Sequence, residues 1–146
     1  MRIFNYKTPI MKKLLFLLLV PFLFNCNSDS PNNNNPYIPN YGFSTVIDLS
    51  LPTNSNLNFA GNGKIIQGGA RGVIVFNTGS GFTAFDAACP NQALSACSTM
   101  TVSGINAVCA CDNAKYSLFT GQSPGQQYPM KPYRVEVNGN TIRVYN

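Results

Sequence analysis

The chain has 146 residues, of which 45% are hydrophobic and 10% charged, with a formal net charge of +5 and no histidine. Without an imidazole there can be no Ser-His-Asp triad and no metal centre that needs a histidine ligand. Arg2, Lys7, Lys12 and Lys13 carry most of the excess charge; the remainder is close to neutral and lacks the basic patch that nucleic acid requires.

Lys12 and Lys13 open an apolar run over 14–24, interrupted by Pro21. The run is shorter than the ~20 residues of a membrane span and suits the hydrophobic region of an export signal, with Met11 a more economical start than Met1. Leu23-Phe24-Asn25-Cys26 follows. It resembles the lipobox of bacterial lipoproteins, with Asn25 where that motif has a small residue. The resemblance implies a signal peptide over 1–25, acylation of Cys26, and an exported protein anchored in the bacterial cell envelope, at the outer membrane or on the periplasmic face. An ordinary cleaved signal with an incidental cysteine is the plainer alternative.

Residues 26–40 are dominated by Asn, Ser and Pro, including four consecutive asparagines, and have little to bury. They read as a solvated tether. The folded domain is expected over 41–146, small enough that an exported chain would recruit disulfides.

That domain reads as all-β. Segments 43–49, 72–77 and 82–86 hold β-branched and aromatic residues between Gly, Asn and Ser punctuation. The unbroken run Val73-Ile74-Val75-Phe76 predicts a strand buried on both faces. Segments 100–102 and 105–108 flank a turn at Ser103-Gly104. At the end, Val135 and Val137, then Ile142 and Val144, alternate with polar residues around Asn138-Gly139-Asn140, predicting a hairpin with one buried face.

Cys89, Cys97, Cys109 and Cys111 lie in loops between these strands, two prongs of one clamp. Four such cysteines point to disulfides, a metal site or a redox pair. Ser80, Ser95, Ser98 and Ser103 have no histidine base, and no other catalytic set is present, so no enzyme is expected. Asp86 and Asp112 read as turn formers. Gly61-Asn62-Gly63 and Gly68-Gly69 lack the following helix of a phosphate cradle. Tyr37, Tyr41, Phe43 and Tyr128 read as packing or tether residues.

Cys89-Pro90-Asn91 and Cys109-Ala110-Cys111-Asp112, their interval, the segment Gly69-Ala70-Arg71-Gly72-Val73-Ile74-Val75, Tyr116, Gly121, and the loop from Ser123-Pro124-Gly125 to Pro129-Met130 occur in a telling order. With the closing valine hairpin, they make 43–146 similar to a Rieske-type 2Fe-2S iron–sulfur domain. The resemblance implies an antiparallel β-sandwich base carrying a small two-loop subdomain at about 87–122. It also implies Cys89 and Cys109 as iron ligands, with Asn91 and Asp112 at the positions where that family has its histidines. The chain departs from the family there, because neither residue is a suitable substitute. It is identified as a degenerate member lacking both histidines, for which no cofactor is expected and the family's 2Fe-2S cluster is the alternative.

Some members of that family carry a disulfide between the two loops, and Cys111 falls on one of its positions. The implied pairing is Cys89–Cys109 and Cys97–Cys111, although four cysteines allow three connectivities. A four-cysteine zinc site fits poorly, since its knuckles space cysteines two to four residues apart. Nor does the Cys109-x-Cys111 pair have a cationic cluster to make it a reactive dithiol; Lys115 is the sole candidate. The expected function is a non-catalytic binding or structural module, held to the membrane by its lipid and offered to an envelope protein. Electron transfer through an atypically ligated iron–sulfur cluster is the alternative, and a four-cysteine zinc-binding module the lesser one.

Overall fold

The structure, a computed structural model, describes residues 34–146; the export segment, Cys26 and the first part of the tether lie outside the described residues. Among the described residues, nine strands and one 3-10 helix follow in the order β1 (Ser44–Asp48), the helix (Pro52–Asn58), β2 (Gly63–Ile66), β3 (Val73–Asn77), β4 (Phe82–Asp86), β5 (Met100–Ser103), β6 (Asn106–Cys109), β7 (Lys115–Ser117), β8 (Arg134–Asn138) and β9 (Thr141–Tyr145). They form three antiparallel three-stranded sheets, ordered β1-β9-β8, β2-β3-β4 and β5-β6-β7.

The middle sheet explains the unbroken apolar run. Side chains alternate along a strand, so Val73 and Val75 of β3 face one way and Ile74 and Phe76 the other. Val73 and Val75 pack with Ile47, Leu57, Tyr133, Ile142 and Val144. Ile74 and Phe76 pack with Cys89, Met100, Cys109, Tyr116 and Met130. Sheet β2-β3-β4 is therefore the shared layer between the terminal sheet and the cysteine-bearing sheet. All four residues of the run are fully buried.

Three expectations need correction. The C-terminal hairpin forms with Val135 opposite Val144 and Val137 opposite Ile142, but Val137 is 51% exposed. Strand β8 lies at the sheet edge, so alternation there does not guarantee cover. The tether also ends earlier than expected. Asn35 and Ile38 are buried, the Asn35 amide donates to the Pro90 carbonyl at 2.7 Å, and Lys131 Nζ donates to the Pro39 carbonyl and Asn40 Oδ1 at 3.0 and 2.8 Å. Residues 35–40 are thus packed on the domain, because this stretch caps a lysine that is only 4% exposed. Sequence composition could not reveal that partner.

The turn expected at Ser103-Gly104 sits one residue later, since Ser103 pairs with Asn106 and leaves Gly104 and Ile105 between them. Strand β2 and the short helix were not predicted. The helix has Pro52 at its start, and Leu57 anchors it in the core.

Candidate functional site

The first cysteine loop links β4 of the middle sheet to β5 of the third, and the second lies within the third sheet. Strand β4 runs on through Ala87 and Ala88 into the first loop, which is closed at its neck by the Ala88–Thr99 bridge and by the Cys89 N–H donating to the Ser98 carbonyl at 2.8 Å. The second loop is the tight β6–β7 turn. The Asn113 N–H donates to the Cys109 carbonyl at 2.9 Å, and the Cys109 N–H to the Ala114 carbonyl at 3.0 Å. Asn113 sits at φ 58°, in the left-handed region, which asparagine tolerates better than most residues.

These loops bring all four predicted cysteines together. Cys89 is bonded to Cys109 with a Cα separation of 5.6 Å, and Cys97 to Cys111 with one of 5.1 Å. The first bridge is fully buried within the apolar cluster. The second is at the surface, with Cys97 exposed and Cys111 half-buried. The two bridges are neighbours: the sulfurs of Cys89, Cys109 and Cys111 lie within 4.8 Å of one another. Ser95 Oγ stands 3.4 Å from Cys97 Sγ and 3.8 Å from Cys111 Sγ.

Asn91 and Asp112 are committed elsewhere. The Asn91 amide donates to the Tyr128 carbonyl at 2.8 Å and accepts from the Tyr128 N–H at 2.9 Å. This two-point contact imitates a strand pairing and ties the first loop to the segment around Tyr128. The same nitrogen donates to the Tyr116 hydroxyl at 2.9 Å. Burial pushes the pKa of the Tyr116 phenol up, making it harder to ionise; the Asn91 contact opposes this in part, and the charge of Asp112 adds to it. Asp112 accepts from the Ala114 N–H at 3.0 Å, as a turn former does, and from the Gln92 amide at 3.0 Å, joining the loops at their rim.

A 2Fe-2S cluster of the Rieske kind needs two thiolates and two neutral nitrogen ligands. Here the two sulfurs share a bond, Asn91 spends its amide on Tyr116 and Tyr128, and Asp112 would add a negative charge. The donor set does not fit that group. The three neighbouring sulfurs would make a soft-ligand cluster only with both bridges reduced, a state that the bonded pairs do not represent.

Asp86 was underestimated as a turn former. It is fully buried and accepts four hydrogen bonds. Its donors are the N–H groups of Ala70 (2.7 Å), Arg71 (3.3 Å) and Ala88 (2.8 Å), and the Tyr133 hydroxyl (2.7 Å). The glycine-rich turn at 68–72 is thus an anion-binding nest whose anion is the protein's own carboxylate. Burial, and then the bond to Asp86, push the Tyr133 phenol far above the ordinary tyrosine range. The hub sits directly before the first cysteine loop and fixes how it leaves the sheet. Its sequence signal was weak: an acid closing an apolar strand, with a Gly-Gly turn some distance upstream. The aromatic residues divide as expected between packing contacts, with Phe43 edge-on to Tyr133 and Tyr37 edge-on to Tyr128.

No family model matches the chain, and no curated protein does. Among solved structures, the chain is similar to one in the complex of reduced oxygenase and oxidised ferredoxin of carbazole 1,9a-dioxygenase, at 22% identity, covering 59% of this chain and 82% of that one with a TM-score of 0.44. It is also similar to the ferredoxin of the carbazole 1,9a-dioxygenase from Nocardioides aromaticivorans, at 18% identity, 61% and 90% coverage and a TM-score of 0.44. A Sphingomonas yanoikuyae ferredoxin matches at 16% identity, 60% and 88% coverage and a TM-score of 0.44.

Proposed function

We propose that this is an exported lipoprotein whose small all-β domain is a binding or structural module of the cell envelope, presenting two disulfide-fastened loops to an envelope protein. The observation that carries this reading is the commitment of the whole would-be ligand set to cross-links within the chain. Cys89 is joined to Cys109 and Cys97 to Cys111, while Asn91 is held by Tyr116 and Tyr128. Disulfides of this kind persist in oxidising compartments, in keeping with the export signal.

Acylation of Cys26 would leave only a short free segment before Asn35, with a reach of at most ~30 Å. The described chain meets the domain beside Pro90 through Asn35. Two measurements test the reading. Mass spectrometry of the unreduced mature protein should find an acyl group on Cys26, lost in Cys26→Ser, and no free thiol. Purified protein should be colourless and contain neither iron nor labile sulfide.

A second reading, iron–sulfur electron transfer through Cys89 and Cys109, is favoured by one observation, the three sulfurs within 4.8 Å. Brown protein with a paramagnetic signal on reduction would establish it and overturn the first. Zinc released together with four reactive thiols would instead support a four-cysteine metal module.

A further inference from the structure

We infer that the two disulfides form a nested exchange pair, in which an external dithiol opens the surface bridge and Cys111 carries the opening inward to the buried one. This goes beyond a stapling role, and it rests on the proximity of the bridges rather than on lipidation or on any partner.

Only Ala110 separates Cys109 from Cys111 on a tight turn held by the left-handed Asn113, so the inner sulfur of the surface bridge lies close to the buried bridge. Cys111 Sγ is within 4.8 Å of both Cys89 Sγ and Cys109 Sγ, a gap that a side-chain rotation closes. Access is graded in the same direction, from exposed Cys97 through half-buried Cys111 to fully buried Cys89 and Cys109. Thiol–disulfide exchange depends on access and on which sulfur is attacked. An incoming thiolate therefore meets Cys97 first and expels Cys111 toward the interior.

The steps balance. A thiolate of an external dithiol attacks Cys97 Sγ, forms a mixed disulfide and releases Cys111 as a thiolate. Ser95 Oγ, in reach of both sulfurs, can donate its hydroxyl to that charge. The second thiol of the dithiol closes the external disulfide and frees Cys97, which takes up a proton. Two electrons have then passed from the dithiol to the surface bridge. Cys111 thiolate next attacks the inner bond, joining to one of its sulfurs and expelling the other as a thiolate that is protonated. This second step moves the disulfide without any net oxidation. Another equivalent of dithiol completes reduction to four thiols.

The test compares the full chain carrying Cys97→Ser with the Cys97→Ser/Cys111→Ser double variant, using dithiothreitol as the probe. Both variants lack the surface bridge, so both share its loss of stability; they differ in the internal nucleophile. Samples are acid-quenched, alkylated and mapped for disulfide-linked peptides. An attacking thiol held in contact far exceeds a dilute external one in effective concentration, so loss of the Cys89–Cys109 linkage should be roughly tenfold or more faster with Cys111 present. Peptides joining Cys111 to Cys89 or to Cys109 should appear only in the single variant. That rate should stay flat in low urea. Equal rates in the two variants would overturn the inference, as would a rate in Cys97→Ser that climbs with urea in step with global unfolding.

Discussion

Replacing Cys89 and Cys109 together by alanine removes the inner bridge without leaving an unpaired thiol, and its cost can be worked from the loop it closes. The bridge spans a separation of 20 residues, which alone corresponds to about 3.3 kcal/mol of chain entropy. The surface bridge already shortens the path between these residues to about ten, lowering the term to about 2.7 kcal/mol. Both sulfurs are fully buried among Ile74, Phe76, Met100 and Tyr116. Deleting each from a site framed by three strands adds about 1 kcal/mol, for a loss near 4.7 kcal/mol. With an unfolding entropy of roughly 240 cal/mol/K for a domain of this length, the midpoint should fall by about 20 °C. The companion variant, Cys97→Ala with Cys111→Ala, loses a similar entropy but almost no packing, so it should fall by only about 11 °C. Calorimetry or thermal circular dichroism on the oxidised proteins measures both. If the two variants melt together, or the surface pair costs more, the assignment of the inner bridge to the core is wrong.

Asn91→Ala should cost about 2–3 kcal/mol in urea unfolding, because it strands the polar groups of Tyr116 and Tyr128, whereas exposed Asp112→Ala should cost under about 1 kcal/mol. Gly69→Ala should lower stability by roughly 3 kcal/mol or more; the residue sits at φ 59°, and an added Cβ would collide with Asp86 and lie 2.7 Å from the Tyr133 hydroxyl. The pH dependence follows from Tyr133, whose folded value lies above its unfolded value of about 10. Its contribution is complete below that value and is lost as pH rises toward the folded value, at about 1.4 kcal/mol per pH unit. Tyr133→Phe should remove this component of the alkaline slope while costing about 1–2 kcal/mol at neutral pH, where Asp86 loses one of its donors. Urea midpoints taken from pH 8 to pH 11 test both halves.

Much of the all-β layout was legible because strand signals are local. Alternation in 142–145 and the continuous run 73–76 each report the burial of their own side chains, and β9 and β3 follow that reading. Strand β2 escaped notice because Gly63-Lys64-Ile65-Ile66 is only four residues long, with Ile65 exposed. Its place is set by pairing with β3, a nonlocal contact. Val137 misled for the related reason that an edge strand can alternate without being covered. Clustering of the cysteines was visible from spacing, but a connectivity among three options needs distances.

The covalent inventory belongs to the sequence. It supplies four cysteines in two loops, no imidazole anywhere, and a carboxylate and an amide where a histidine-ligated metal would need neutral ring nitrogens. Chemistry of that kind depends on which atoms are present, not on where they lie. What those atoms do was decided by the fold. Asn91 became a cross-link, Asp86 a buried hub, Lys131 the anchor of residues 34–40, and Cys111 a neighbour of the bridge it does not belong to. Each role depends on partners from distant parts of the chain, and such partners become neighbours only when the sheets close over one another.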